Sequence, residues 1–398
     1  MSFDIALSGL DATNSQINTI SNNIANSSTT GFKQSRTEFA AVYNGMQAGG
    51  VEVSGTSQNF DKNGSVSSTG RSLDLAINGS GFFVTKDSAG QTLYTRSGIF
   101  GTDKDNNIVS NTGMKLQGFS ATADGSALQS GALGDLAVNT ASLPAKATGN
   151  MDFIANFDAR ATAIDTTVTP FDAANTDSFN SSYTSKVYDS LGNPHTVTQY
   201  FTKTSDNNWQ VNVQIDGGTI VENQAVTFNT DGTLASPTGT FNVEFPAAGA
   251  EAMSIDISLK GSTQFGSDFS VSTNSPDGYT AGELTGIRVE DNGMVFAAYS
   301  NGQSLLQGQV VLADFANPQA LVKTSGTAWM QSYSSGEPVR NVPGSGTLGN
   351  LSSGALEGSN VDLSNELVGL MTAQRNYQAN AKTISTSDKL MQTLFNAV

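Results

Sequence analysis

Cysteine is absent from this chain, and histidine occurs once, as His195. The first absence excludes a disulfide framework, a thiolate zinc site and a cysteine nucleophile. The second excludes any site built from two or more histidines. Charge is scarce as well: 14% of residues are charged, where about 25% is ordinary. The formal net charge is −16, so phosphate neutralisation cannot drive binding to nucleic acid. No run approaches the roughly 18 apolar residues of a spanning helix, so no membrane insertion is expected. The opening Met1-Ser2-Phe3-Asp4-Ile5-Ala6-Leu7-Ser8 has neither a basic start nor a continuous apolar stretch. A cleaved secretory signal is therefore not expected. The protein either stays in the cytosol or leaves by a route that reads no such signal.

Ser, Thr, Asn, Gln and Gly take the place of the missing charge. At roughly 150 residues per domain, 398 residues predict two to three domains with real cores.

The two ends differ from everything between them. Phe3, Leu10, Ile17 and Ile24 recur every seven residues, with Ala6, Thr13 and Ile20 three positions on. The spacing predicts an amphipathic helix capped by Ser2 and ending near Asn26. At the other end Leu363, Leu370, Tyr377, Ile384, Met391 and Val398 repeat the interval, thickened by Leu367, Ala373, Ala381, Leu394 and Phe395. Ser359-Asn360-Val361-Asp362 fits a capping box ahead of about 35 helical residues, some 50 Å of helix. The flanking positions carry Ser, Thr, Asn and Gln, not the Glu/Lys pairs of a solvated zipper. Uncharged polar faces pack against neighbours without the cost of burying charge. Two readings follow from periodicity: helices surrounded on several sides, or a helical hairpin capping one domain.

The intervening chain reads as β. Leu73–Ile77, Gly81–Thr85, Leu93–Arg96 and Ile287–Glu290 are strand-like. Asn78-Gly79, Asp124-Gly125, Asp216-Gly217, Asp231-Gly232, Asn292-Gly293 and Asn301-Gly302 signal tight turns. The organisation expected is a core helix at 1–28, an extended connector at 29–70, a β domain split into 71–144 and 282–358, an inserted outer β domain at 145–281, and a core helix at 359–398. The fold class is multi-domain and mainly β, with nested insertion between helical ends that form a coiled-coil-like core on assembly.

Three motifs resemble chemistry without its context. Gly344-Ser345-Gly346-Thr347-Leu348-Gly349 matches a dinucleotide fingerprint but follows Pro343 and lacks a βαβ setting, so it reads as a loop. Asp103-Lys104-Asp105-Asn106-Asn107 opens like a calcium loop but has Ile108 and Met114 where Gly and Glu belong, so it reads as a polar hairpin turn. His195 follows Pro194, with no nucleophile elbow in the chain, and reads as a turn histidine. No catalytic, cofactor or metal residue is assigned, and no enzyme activity is expected.

Ser21-Asn22-Asn23-Ile24-Ala25-Asn26-Ser27-Ser28-Thr29-Thr30-Gly31-Phe32-Lys33 resembles the amino-terminal signature of the bacterial flagellar rod and hook axial protein family. Ser359 to Leu367, running on through Gln374, Arg375, Asn380 and Ala381, resembles that family's carboxy-terminal signature. Leu73–Val84 and Tyr94–Gly98 resemble an internal block. Residues 145–280 lie outside the matching blocks. The length and middle β domain are similar to the hook members. One departure is the ending Asn396-Ala397-Val398, where relatives often finish on a basic residue.

The resemblance implies a structural subunit of the hook: a helical homopolymer forming a curved, flexible tube, the universal joint between motor rod and filament. It implies rod, hook cap and hook–filament junction proteins as partners. It also implies unfolded export through the flagellar type III apparatus and an extracellular location in the flagellum. The missing cysteine agrees, since an oxidised crosslink would obstruct threading. A distal rod protein of the same family and a secreted β-rich adhesin are the alternatives. The assembly residues expected are Phe3, Leu10, Ile17, Ile20 and Ile24 on the first helix. On the second they are Leu363, Leu367, Leu370, Tyr377, Ile384, Met391, Leu394 and Phe395. The motif residues are Asn22, Asn23, Ala25, Asn26, Gly31, Phe32, Gln374, Arg375 and Asn380. Outside an assembly, residues 1–30 and about 360–398 are expected to be frayed, because neither stripe buries itself alone. The outer β domains are expected to slide during bending, with the loop at 40–70 supplying lateral contact.

Overall fold

The computed structural model describes residues 2–44, 47–129, 131 and 133–396. Both ends are helical. Helix α1 (Ser2–Ala25) includes Ser2, the residue expected to cap it. It stops where the Asn26 backbone N–H and side-chain Nδ2 both donate to Asn22 O, at 3.1 and 2.9 Å, satisfying a last-turn carbonyl. Helix α2 (Leu363–Asn396) has 34 residues, about 51 Å of helix at the standard rise. Its cap is Asp362, not Ser359: Asp362 Oδ1 accepts from Ser364 N (3.0 Å) and Asn365 N (3.2 Å). Ser359 lies too early to reach those groups, and its Oγ accepts from Val361 N instead.

The chain divides into two compact units. The first holds residues 1–140, 285–298 and 304–398. At its centre the strands Phe82–Lys86 and Thr92–Thr95 pair as a hairpin. Lys115–Ser120 and then Ser304–Val310 extend the sheet on one side; Ala328–Met330 and then Val322–Thr324 extend it on the other. Strands from before and after the second unit therefore share one sheet. The pleat sorts the core: Phe83 packs with Leu75, Ile77, Phe100 and Leu312, while Phe82 and Val84 pack with Tyr94, Phe315 and Trp329.

Two local expectations fail here. Asn78-Gly79 does not close a hairpin, because Leu75–Asn78 pairs with the distant Asn350–Ser353. Residues 35–58 are not an extended connector: β1 (Ser35–Asn44) and β2 (Gln47–Gln58) form an antiparallel ladder. Backbone pairing and contact with α1 hold it in place of a core of its own. Thr37 Oγ1 donates to Thr19 Oγ1 (2.9 Å) and Val51 N donates to Ser8 Oγ (3.3 Å).

The second unit holds residues 141–284 and 299–303. One of its sheets is the meander Ser181–Tyr188, Pro194–Ser205, Asn208–Ile215, Ile220–Phe228 and Leu234–Ser236. The other is built around Asn150–Asp158. Their apolar faces share a core in which Phe157 lies edge-on to Phe201 (5.1 Å) and Trp209 (5.2 Å). This is a β-sandwich.

Candidate assembly surface

The terminal helices run antiparallel. Asn23 Nδ2 donates to Glu366 Oε1 (3.0 Å), Ile20 lies against Gly369, and Gly9 lies against Asn380. The seam between them is made of small and polar groups. Ala6, Ala12, Thr13, Ile20, Asn23, Glu366 and Ala373 are buried. A Cβ on Gly9 would come within 2.8 Å of Asn380 Nδ2, so glycine there permits the close approach.

Most large apolar side chains of the two stripes are left out of this seam. Phe3, Leu363, Leu367, Tyr377 and Met391 are exposed. Leu10, Ile17, Ile24, Leu370 and Ile384 are half-buried. Among the expected residues whose side chains are described, Ile20 alone is buried. The side chains of Leu394 and Phe395, and the whole of Val398, lie outside the described residues. A groove of about 560 Å³ runs beside the seam, lined by Ile5, Gly9, Ala12, Phe39, Val51 and Ala379. Phe39 of β1 is exposed on it.

The roots of both helices are tied into the β body by a buried polar junction that the sequence reading missed. Asn23 makes a two-way bond to one residue: its Oδ1 accepts from Ser35 N (2.9 Å) while its Nδ2 donates to Ser35 O (2.7 Å). Only a carboxamide offers both roles at that length. Asn360 repeats the device. Its Oδ1 accepts from Gln34 N (2.7 Å), and its Nδ2 donates to Asn59 O (2.9 Å) and Lys62 O (2.8 Å). At the centre the Glu357 carboxylate, 0% exposed, bridges Lys33 Nζ (2.9 Å) and Arg96 Nη1 (3.2 Å), themselves 1% and 2% exposed. Glu357 Oε1 also accepts from Gly64 N (3.0 Å). Burial, then the nearby Arg96 charge, holds the Lys33 ammonium below its ordinary pKa, and Glu357 offsets this. Burial likewise lowers Arg96, against Glu357.

Of the motif residues, the junction brings Asn23, Gly31 and Phe32 together with the 357–366 segment. Gly31 N donates to Glu357 O (2.8 Å), and Asn360 N donates to Phe32 O (3.4 Å). Gly31 has φ +71°, and a Cβ there would meet Ser97 N at 2.5 Å. Asn26 closes α1, while Asn380 faces Gly9. Asn22, Ala25, Gln374 and Arg375 are exposed. This anchoring also corrects the expectation of frayed ends. In the single chain both ends are helical, because the small-residue seam and the buried junction fix their roots.

The motifs weighed for chemistry have structural settings. Asp103 accepts from Asp105 N and Asn107 N (2.8 Å each) in a hairpin turn. Gly344–Gly349 is a loop closed by Gly344 N donating to Gly349 O. His195 is not in a turn but on the strand Pro194–Ser205. Its Nδ1 is 2.6 Å from Asp216 Oδ2 and its Nε2 is 3.6 Å from Asp189 Oδ2. The hydrogen bond to Asp216 raises its pKa against burial.

Four family models match the chain: Flagella basal body rod protein at 3–33, Flagellar hook protein FlgE/F/G D1 domain at 76–155, Flagellar basal body protein FlaE D2 domain at 156–279, and Flagellar basal body rod FlgEFG protein C-terminal at 352–397. The chain is 40% identical over 404 residues to the flagellar hook protein FlgE of Escherichia coli strain K12, covering 100% of each. It is 32% identical over 396 residues to that of Brucella suis, covering 98% of this chain and 97% of the relative. Its fold is similar to the crystal structure of Helicobacter pylori flagellar hook protein FlgE2, with TM-score 0.59 and 14% identity over 73% of this chain and all of the other.

Proposed function

The chain belongs to the flagellar hook protein family, and from that premise we propose how its parts divide the work of a hook subunit. It is a structural subunit of the bacterial flagellar hook. Full-length likeness, including the middle segment, favours this over a distal rod protein or an adhesin.

In our reading α1 and α2 form the inner, coiled-coil-like wall of a tube, and the two β units form its outer layers. The observation that carries the reading is the sorting of side chains on the end helices. Gly9 and Gly369 lie against the partner helix, while Phe3, Leu363, Leu367, Tyr377 and Met391 are exposed in the single chain. Each is about half exposed, so completing its burial against a neighbouring subunit contributes roughly 0.7–1.5 kcal/mol. The distal turns of both helices become rigid on assembly. The low-charge outer surface makes exchangeable, water-mediated contacts that let the tube bend. Rod, hook cap and hook–filament junction proteins are the partners at its ends, and the flagellar type III apparatus is the export route.

The test is electron microscopy of concentrated purified protein beside the double variant Leu363→Asp/Leu367→Asp. Both positions are exposed, so the variant keeps the wild-type tryptophan emission. The unsubstituted chain forms tubes and the variant does not. Tubes of the double variant at the wild-type concentration overturn the role given to the helices.

A further inference from the structure

The β body of the first unit carries an exposed aromatic on an unusually fixed support. Tyr333 is 104% exposed. The short turn beneath it, Tyr333–Ser335, is pinned by its own serines. Ser335 N donates to Ser332 Oγ (3.1 Å), and Ser332 N donates to Ser335 Oγ (3.0 Å). It is also tied to the segment before the edge strand: Ser332 Oγ donates to Ala320 O (2.6 Å) and Asn317 Nδ2 donates to Ser334 O (3.2 Å). Val322 and Val339, from the same stretch of chain, are exposed too. A ring held on a rigid backbone loses little entropy when it binds, and tyrosine is enriched among the residues that dominate interfaces.

Toward the other side of the same sheet lies a depression of about 360 Å³. Its lining is mixed: Ala121, Leu305 and Leu306 are apolar, while Asp105, Thr122, Asp135 and Gln307 are polar. In the sheet, Lys115–Ser120 and Ser304–Val310 border this depression. The hairpin Phe82–Lys86/Thr92–Thr95 separates them from Val322–Thr324 and Ala328–Met330, which come just before the tyrosine turn in the chain. The charges differ in sign as well. Residues 103–139 carry four carboxylates (Asp103, Asp105, Asp124, Asp135) against Lys104 and Lys115, while 318–341 carry Lys323 and Arg340 against Glu337.

We propose that Tyr333 of one copy seats in the Leu305/Leu306 depression of the next copy. The inference rests on the hook-subunit reading and adds to it a contact outside the helices. A projection at one side of a sheet and its receptor at the other make a heterologous contact, which continues from copy to copy without closing. The ring has roughly 150–250 Å² to bury, and its hydroxyl meets the polar wall at Asp105 and Gln307.

The chain has no cysteine, so introduced thiols are the sole ones. Assembled Ser334→Cys/Ala123→Cys protein treated with a short bismaleimide yields a ladder of dimers and higher multimers on a denaturing gel. Neither single variant does. Tyr333→Ala raises the concentration needed for tubes about tenfold or more, while Tyr333→Phe stays within about threefold of wild type. Tubes that give no ladder, or Tyr333→Ala tubes at the wild-type concentration, overturn the contact and leave the hook reading standing. Absence of tubes from the unsubstituted chain overturns both.

Discussion

Replacing Glu357 by glutamine tests the junction directly. The carboxylate bridges two buried cations, Lys33 at 2.9 Å and Arg96 at 3.2 Å. Glutamine keeps the volume and an acceptor for Gly64 N, but it removes the charge and turns an N–H₂ donor toward one of the cations. Removing one partner of a buried ion pair costs about 3–5 kcal/mol. The cost has a ceiling here, because the Lys33 ammonium is already held below its ordinary pKa and can shed its proton. Each unit holds one buried tryptophan, Trp329 in the first and Trp209 in the second. In a Trp209→Phe background the fluorescence therefore reports the first unit alone. With a urea slope of about 2–3 kcal/mol/M, the midpoint falls by about 1–2.5 M. Adding Lys33→Met removes one of the stranded cations and recovers at least half of the fall. A shift under about 0.3 M, or no recovery in the double variant, refutes the reasoning that the carboxylate is what makes those two buried cations tolerable.

Gly31→Ala forces a Cβ onto Ser97 N at a left-handed backbone; it destabilises the first unit by more than about 1 kcal/mol in the same urea assay, and an unchanged midpoint counts against the close approach. Asn23→Ala strands the Ser35 N–H and C=O and part of Glu366, lowering helix content by circular dichroism and stability by about 1–3 kcal/mol; Asn23→Asp restores the acceptor without the donor and rescues only partly. His195 gains a carboxylate partner on folding, so its folded pKa lies above the unfolded value. Its stabilisation is complete below about 6.5 and is lost as pH rises through the folded pKa, so the second unit, read through Trp209, has a lower urea midpoint at pH 9 than at pH 6. His195→Asn flattens that difference, and a variant with the full wild-type pH dependence refutes the assignment.

What could be read from the sequence was whatever repeats locally. Large apolar residues at intervals of seven announce both helices, because one face of a helix recurs at that spacing. The short apolar run Phe82-Phe83-Val84, bounded by glycine-bearing turns, announces a strand. The β1–β2 ladder escaped because its strands, Ser35–Asn44 and Gln47–Gln58, bury little apolar surface and lean on α1 through Thr19 and Ser8. Asn78-Gly79 misled because turn chemistry speaks only of neighbours, whereas the partner strand begins at Asn350. The junction was hidden for the same reason. Lys33 and Glu357 are 324 residues apart, and Arg96 and Glu357 are 261 apart. Scarcity was the one available signal: in a chain with 14% charge, a lone cation inside each of two family-like blocks is an anomaly.

The sorting of side chains on α1 and α2 also bears on how strongly subunits hold each other. Five stripe residues are exposed in the single chain: Phe3, Leu363, Leu367, Tyr377 and Met391. Each is already about half buried, so completing their burial is worth about 4–7 kcal/mol in total. Lost rigid-body freedom alone opposes association by about 4–15 kcal/mol. Had the helices to fold from a disordered state as well, ordering some 60 residues at about 1–2 kcal/mol each would overwhelm the gain. The junction at Asn23, Lys33, Glu357 and Asn360 removes much of that burden by fixing the helix roots within one chain. What remains is a near balance, in which the helices alone do not set a strong preference for the polymer. The β body must then supply the rest, and an exposed, rigidly held side chain such as Tyr333 is the kind of group that tips such a balance.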